Sequence, residues 1–275
     1  MLEEEMQTAA VLAREAGRAV LPMYGAVAAE EKAPGSLVTA ADRLANRIIV
    51  SGLQSRFPDD GLLSEESQDS GARLSCERVW VVDPLDGTRE FMAGIPEFAI
   101  MIGLAVNGVA VLGVVYCPVE DVLYLGIPGV GAWKEQGGRR PLVAPVILGG
   151  APRMVGSRSH PDERVQRIRR ALGVTSVRAA GSVGVKCALI ARGECDLYVH
   201  PVPYLKEWDT CAPEAVLRGA GGEVTDCHGE PLRYNKADPV QPAGIVAAAP
   251  GLLAAVIGTV RAVFDTDPEP AVAAL

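Results

Sequence analysis

The stretch Val81-Val82-Asp83-Pro84-Leu85-Asp86-Gly87-Thr88 decides how this chain is read. A β-branched strand runs into Asp83 and Pro84 fixes a turn. Gly87-Thr88 then opens a helix whose free N–H groups face whatever the two aspartates hold. Asp83 and Asp86 flank this tight turn, so both carboxylates project to one point. Hard oxygen ligands at such spacing suit Mg²⁺, which takes one or two carboxylates and keeps water and phosphate oxygens for its remaining positions. Read alone, the window fits equally an Asx-type turn with solvated aspartates.

Upstream, apolar residues recur at helical spacing over 3–21 (Met6, Ala9, Ala13, Ala16, Val20), with Glu3 to Glu5 suited to a helix N-terminus. A second amphipathic helix is expected over Ala40–Arg56, stopping before Pro58, followed by strands at Gly61–Ser64 and Arg78–Val82. Phe98 to Tyr116 carries no charge over nearly a membrane span, but Asn107-Gly108 at its middle supplies the two positive-φ residues of a type I′ turn. A buried β-hairpin is therefore expected, then a strand near Val122–Leu125. The first half reads as two helices and an antiparallel sheet.

Glycines and prolines crowd Glu135–Pro152, the best candidate for a junction. Beyond it the pattern alternates: strand 153–157, helix 161–172, strand 174–179, helix 183–192, strand 195–199, helix 210–219 and strand 222–226. Gly244 to Phe264, interrupted by Pro250 and carrying Arg261, reads as a strand and an apolar helix. The expected organisation is a 1–140 α+β subdomain and a 141–275 α/β subdomain.

Over 275 residues, 34 acidic against 26 basic side chains leave a formal net charge of −8, and 49% of residues are hydrophobic. The hydrophobic fraction excludes disorder, and the negative surplus argues against a nucleic-acid partner, whose phosphates call for excess Lys and Arg. A phosphorylated ligand would need a local device to overcome repulsion. Six cysteines, at 76, 117, 187, 195, 211 and 227, show no C-x-x-C pair, so reduced and mostly buried thiols are expected. The acidic Met1-Leu2-Glu3-Glu4-Glu5 start lacks the basic character of a secretory leader; a cytoplasmic protein without a membrane partner is expected.

The run Asp83-Pro84-Leu85-Asp86-Gly87-Thr88 resembles the signature of the inositol monophosphatase superfamily of Mg²⁺-dependent, lithium-sensitive phosphatases. Two further elements resemble it in the same order: Ser64-Glu65-Glu66 upstream, and Trp208-Asp209-Thr210-Cys211-Ala212-Pro213 with Gly221-Gly222 downstream. The resemblance covers roughly residues 8–264. It implies a layered αβαβα α/β sugar-phosphatase fold with the metal site between two subdomains. It also implies two or three Mg²⁺ ions held by Glu65, Asp83, Asp86, Asp209 and the Leu85 carbonyl. By the same likeness Glu65 and Thr88 orient the attacking water, and Asp42 hydrogen-bonds near Thr88. For Asp42 the alternative is an exposed charge in a helix first turn. Asp209 is expected just before a helix starting near Thr210, and a homodimer is implied.

Arg89-Glu90-Phe91 after the signature, Glu207-Trp208-Asp209-Thr210 and Leu232-Arg233-Tyr234-Asn235 resemble the bacterial 3′(2′),5′-bisphosphate nucleotidase branch, of CysQ type. Inositol phosphatases carry a glutamate about seven residues before the WD aspartate, where this chain has Val202. The implied small-molecule substrate is 3′-phosphoadenosine 5′-phosphate, bound by Asp86, Gly87, Thr88, Asp209 and a second anion site. Candidates for that site are Ser157 in Gly156-Ser157-Arg158-Ser159-His160, and Ser182 and Lys186 in Gly181-Ser182-Val183-Gly184-Val185-Lys186. Helix-capping serines and a solvated Lys186 fit those stretches as well. Cys211 and Pro213-Glu214 replace the small residues of the commoner form, with Pro213 expected in a helix first turn. Residues 66–78 fit either a mobile flap or an ordinary surface loop. Inositol, histidinol or another sugar phosphate remains open as substrate, as does a phosphate-ligand binder without turnover.

Overall fold

The computed structural model describes residues 2–33, 36–145, 150–158 and 162–265. In chain order the elements are α1 (Glu3–Val20), β1 (Ala29–Ala33), β2 (Ser36–Thr39), α2 (Ala40–Arg56), β3 (Gly61–Ser64), β4 (Arg78–Asp86) and α3 (Thr88–Met92). Then come β5 (Ala99–Val106), β6 (Val109–Cys117), β7 (Val122–Ile127), β8 (Gly131–Glu135), β9 (Arg139–Pro141), β10 (Arg153–Ser157), α4 (Glu163–Ala171) and β11 (Ser176–Ala180). The chain closes with α5 (Val183–Ala191), β12 (Leu197–His200), α6 (Glu207–Gly219), β13 (Glu223–Thr225), β14 (Ile245–Ala248) and α7 (Leu253–Asp265).

A sheet of order β3-β4-β5-β6-β7-β8-β9, antiparallel except for the β3/β4 pair, faces a second sheet of order β11-β10-β12-β14-β13. α1 and α2 cover the outer face of the first sheet, α5 and α6 lie between the sheets, and α4 and α7 cover the second. These are the five αβαβα layers expected. The hairpin explains the chargeless stretch: Ile100, Ile102 and Leu104 of β5 enter the α1/α2 core while Met101 and Ala105 enter the middle layer. A strand buried on both faces has no polar side to show. Asn107 and Gly108 turn it at φ 50° and 76°. No described helix is long and apolar enough to cross a membrane.

α6 docks on the first sheet because that surface is flat. Gly103, Gly113 and Gly126 sit under it on three adjacent strands, and a Cβ at Gly113 would lie 2.1 Å from the Ala212 carbonyl oxygen. The small side chains of Cys211, Ala212 and Ala215 face this platform and are fully buried.

Several local expectations change. The strand does not end at Asp83: β4 continues to Asp86, with its register broken between the two aspartates. Pro84 sits in that irregularity, where no ladder N–H is required. α6 starts at Glu207 rather than near Thr210, so Pro213 is its seventh residue rather than a first-turn residue. There it removes the bond its N–H would have given to the Asp209 carbonyl. The β1/β2 hairpin and the short strands β8 and β9 are additional to the sequence reading.

Candidate active site

The site forms where β4 ends beside the N-termini of α5 and α6. At Gly87, φ of 98° makes the left-handed entry to α3, and a Cβ would meet the Glu97 carbonyl oxygen at 3.0 Å. That turn presents Asp83 and Asp86 to the same space that Asp209 enters from α6. One carboxylate oxygen from each of the three lies within 4.8 Å of the others. Asp83 is 1% exposed, whereas Asp86 and Asp209 are half-buried at the wall of a cavity of about 610 Å³. Glu65, held by its N–H to the Val82 carbonyl at 3.2 Å, lines the same cavity, as do Leu85, Gly87 and Thr88. Asp83 does accept the Leu85 N–H at 3.0 Å, so the Asx turn exists, but its carboxylate is not solvated.

The electrostatics of the three aspartates differ. Burial, then Glu65, Asp86 and Asp209, push Asp83 well above the usual carboxylate range, with only the Leu85 N–H pulling it down. Burial and Asp86 raise Asp209, against the Lys206 N–H that bonds its carboxylate at 2.5 Å. Burial also raises Asp86, but Lys186, the Ser182 hydroxyl at 2.5 Å and the Gly184 N–H at 3.2 Å all oppose it. Mutually repelling carboxylates drawn out of water fit a hard divalent cation, which satisfies all of them at once.

Asp42 is not an exposed first-turn charge. It is 1% exposed, caps α2 by accepting the Thr39 N–H at 2.8 Å and hydroxyl at 2.5 Å, and accepts the Thr88 hydroxyl at 3.1 Å. Ser182 caps α5 through the Val185 N–H at 3.2 Å while donating to Asp86. Lys186 is 2% exposed and so not solvated; its ammonium donates to the Gly181 carbonyl and lies 5.1 Å from the Tyr198 ring centroid. Lys186 and Ser157 line the cavity; Arg158 pairs instead with Glu97 at 2.7 Å. Ser159 and His160 lie outside the described residues. All six cysteines are free, and all but Cys76 are buried.

Other cavity residues were not singled out as site residues from sequence. Arg89 and Lys206 bring positive charge, and Tyr198, His200, Tyr204 and Trp208 bring ring surface. For Tyr198 and His200 a signal existed, since alternate residues at a strand end share a face. Val202 is not among the residues lining the cavity.

The pattern of the inositol monophosphatase family matches residues 1–263. The chain is 40% identical over 227 residues to the 3′(2′),5′-bisphosphate nucleotidase CysQ of Escherichia coli K12, covering 81% of this chain and 91% of that protein. It is 34% identical over 261 residues to the 3′-phosphoadenosine 5′-phosphate phosphatase of Mycobacterium leprae, covering 94% and 93% of the two chains. Among solved structures, CysQ from Bacteroides thetaiotaomicron superposes with a TM-score of 0.76 at 33% identity, over 90% of this chain and 97% of that one. The suhB protein of Bartonella henselae superposes at 0.79 with 28% identity, over 94% and 99%.

Proposed function

This chain belongs to the inositol monophosphatase family and is a phosphatase; from that premise we propose that it is a Mg²⁺-dependent phosphomonoesterase removing the 3′-phosphate of 3′-phosphoadenosine 5′-phosphate and related sulfated nucleotides. The observation that carries the reading is the convergence of Asp83, Asp86 and Asp209 within 4.8 Å at a cavity that also holds Thr88 and Glu65. Asp83, Asp86, Asp209, Glu65 and the Leu85 carbonyl would hold two or three Mg²⁺ ions. When bound, the ions neutralise the ester phosphate, acidify a water and stabilise the leaving oxygen. The residues do the orienting. The Thr88 hydroxyl donates a hydrogen bond to Asp42 at 3.1 Å and so would present its lone pairs to one hydrogen of the attacking water, while Glu65 would accept the other. No covalent phosphoenzyme is required.

For the substrate, the support is the 40% identity to a protein named as a bisphosphate nucleotidase and the cavity's own lining. Arg89 and Lys206 would meet a second phosphate, with Ser157 and Lys186 beside them, and the rings of Tyr198, Tyr204 and Trp208 would meet a base. Seven residues before Asp209, where inositol phosphatases carry the glutamate that grips ring hydroxyls, this chain has Val202. Purified protein assayed with Mg²⁺ should hydrolyse 3′-phosphoadenosine 5′-phosphate faster than inositol 1-phosphate or histidinol phosphate, with inhibition by Li⁺. The reverse order would overturn the substrate assignment, and binding of all three esters without turnover would make the protein a phosphate-ligand binder. A cytoplasmic location and a homodimer complete the proposal.

A further inference from the structure

The polar segment after Glu66 is anchored at both ends. At its start, Asn46 of α2 donates to the Glu66 carbonyl at 3.2 Å and accepts the Ser64 hydroxyl at 2.7 Å. At its far end stands Arg73, whose side chain is 1% exposed. Its guanidinium donates twice to Asp69 Oδ2, at 3.0 and 2.8 Å, and crosses to the chain's other half through Asn235 Oδ1 at 2.9 Å and the Lys236 carbonyl at 3.0 Å. The opposite side of that dipeptide belongs to Glu207. This fully buried first residue of α6 accepts the Asn235 N–H at 2.7 Å and the Lys236 N–H at 2.9 Å. Asn235, at φ 58°, returns its amide group to the carbonyls of Arg73 and Cys76 at 3.1 and 3.3 Å.

The Asn235–Lys236 dipeptide is thus held between a buried cation and a buried carboxylate, with the Asn235 side-chain oxygen and the Lys236 carbonyl toward the first and the two N–H groups toward the second. Neither charge touches the cavity, so neither is explained by substrate. What they join is specific: Glu65 lies at the head of the segment that Arg73 closes, and Asp209 lies in the same helical turn as Glu207. We propose that Arg73, Asn235 and Glu207 are positioning residues, a latch that sets the placement of Glu65 relative to Asp209. The inference rests on reading those two carboxylates as metal ligands from separate parts of the chain. Removing Arg73 or the Asn235 side chain leaves the dipeptide held from the Glu207 side alone, so loosening passes to both limbs.

Two variants test the latch. Arg73→Ala removes the cation. Asn235→Gly keeps the left-handed backbone, which glycine adopts freely, and deletes only the side-chain bonds. Mg²⁺ binding is measured without substrate by calorimetric titration, and amide hydrogen exchange is followed in metal-free protein. In both variants the Mg²⁺ dissociation constant should rise about tenfold, the size seen when groups supporting metal ligands are lost. Turnover at saturating Mg²⁺ should return to within about threefold of the parent, because the reacting groups remain. Exchange should accelerate together over residues 65–76 and 206–211. Faster exchange confined to 66–76, with unchanged Mg²⁺ affinity, would overturn the latch. If the parent protein bound no Mg²⁺ the metal reading would fail, while joint or separate acceleration of exchange would still decide the coupling.

Discussion

Asp83→Asn should stabilise the metal-free protein at alkaline pH while abolishing activity, and the size of the effect follows from the site. The Asp83 carboxylate is buried, with oxygens of Asp86 and Asp209 no more than 4.8 Å away. At an effective dielectric of about 20, each ionised neighbour at that distance repels it by about 3.5 kcal/mol. Protonation caps this cost, so a gain of about 2–4 kcal/mol is expected near pH 8, or roughly 4–16 °C in Tm for a chain of this size. Asparagine retains the acceptor for the Leu85 N–H and the volume, so little else changes. The sign with pH is fixed. Because the folded pKa is raised, the native protein holds a proton that the unfolded chain has lost, and stability falls as pH climbs from about 4 through the folded value. The gain from Asp83→Asn should therefore shrink toward pH 5 and reverse with millimolar Mg²⁺, which stabilises only the parent. Differential scanning calorimetry of both proteins, with and without EDTA, reads all of this. A variant less stable than the parent at pH 8 in EDTA, or a difference independent of pH, would refute the electrostatic reasoning.

Asp42→Asn should lower kcat by about 10²–10⁴ with KM within a factor of about two, since an amide cannot accept from both Thr39 and Thr88 as the carboxylate does; steady-state kinetics at saturating Mg²⁺ check it. Gly113→Ala should destabilise by about 2–4 kcal/mol, because its methyl group would drive into the Ala212 carbonyl and lift α6, and with it Asp209, from the sheet. Denaturant unfolding measures the first effect and loss of Mg²⁺ affinity the second. Arg89→Ala and Lys206→Ala should each raise KM for the bisphosphorylated nucleotide about tenfold and leave KM for a monophosphate ester nearly unchanged. Equal changes for both esters would remove these residues from the second-phosphate site.

How far the fold was legible varied with the signal that each element carries. α1 and α2 show a clear apolar stripe and were placed to within a residue, and the β5/β6 hairpin followed from two positive-φ residues between apolar runs. β8 and β9 escaped because Gly131–Pro141 mixes glycines with charged residues at a sheet edge, where side chains are half-exposed and no apolar alternation is enforced. The start of α6 was misjudged since Asp209 looks like an N-cap, while the carboxylate reaches back to the Lys206 N–H from within the first turn. At the site, Asp83 and Asp86 share one turn, yet that window fits a solvated Asx turn equally well, and Asp209 joins them only through the family resemblance. Lys206 and Arg73 carry no such signal, because their meaning arises only when segments distant in sequence meet.

The opposing charges in the cavity are graded, and this grading bears on the acidic excess of the chain. A net charge of −8 first weighs against a phosphorylated ligand. The fold answers by concentrating Glu65, Asp83, Asp86 and Asp209 around one point and compensating them unequally. Asp86 is held by the α5 N-terminus and Lys186, and Asp209 by a backbone N–H at the start of α6. Asp83 has a single N–H against three acidic neighbours. Helix N-termini that would otherwise face an incoming anion are thus spent on the protein's own carboxylates. On the proposed reading, the attraction for the ester phosphate comes from cations that those carboxylates gather, and the demand is greatest at Asp83, the residue least able to stay ionised alone. That is why the first prediction is made there: substitution at Asp86 or Asp209 would also unbalance the helix that caps it, whereas substitution at Asp83 changes the charge and almost nothing else.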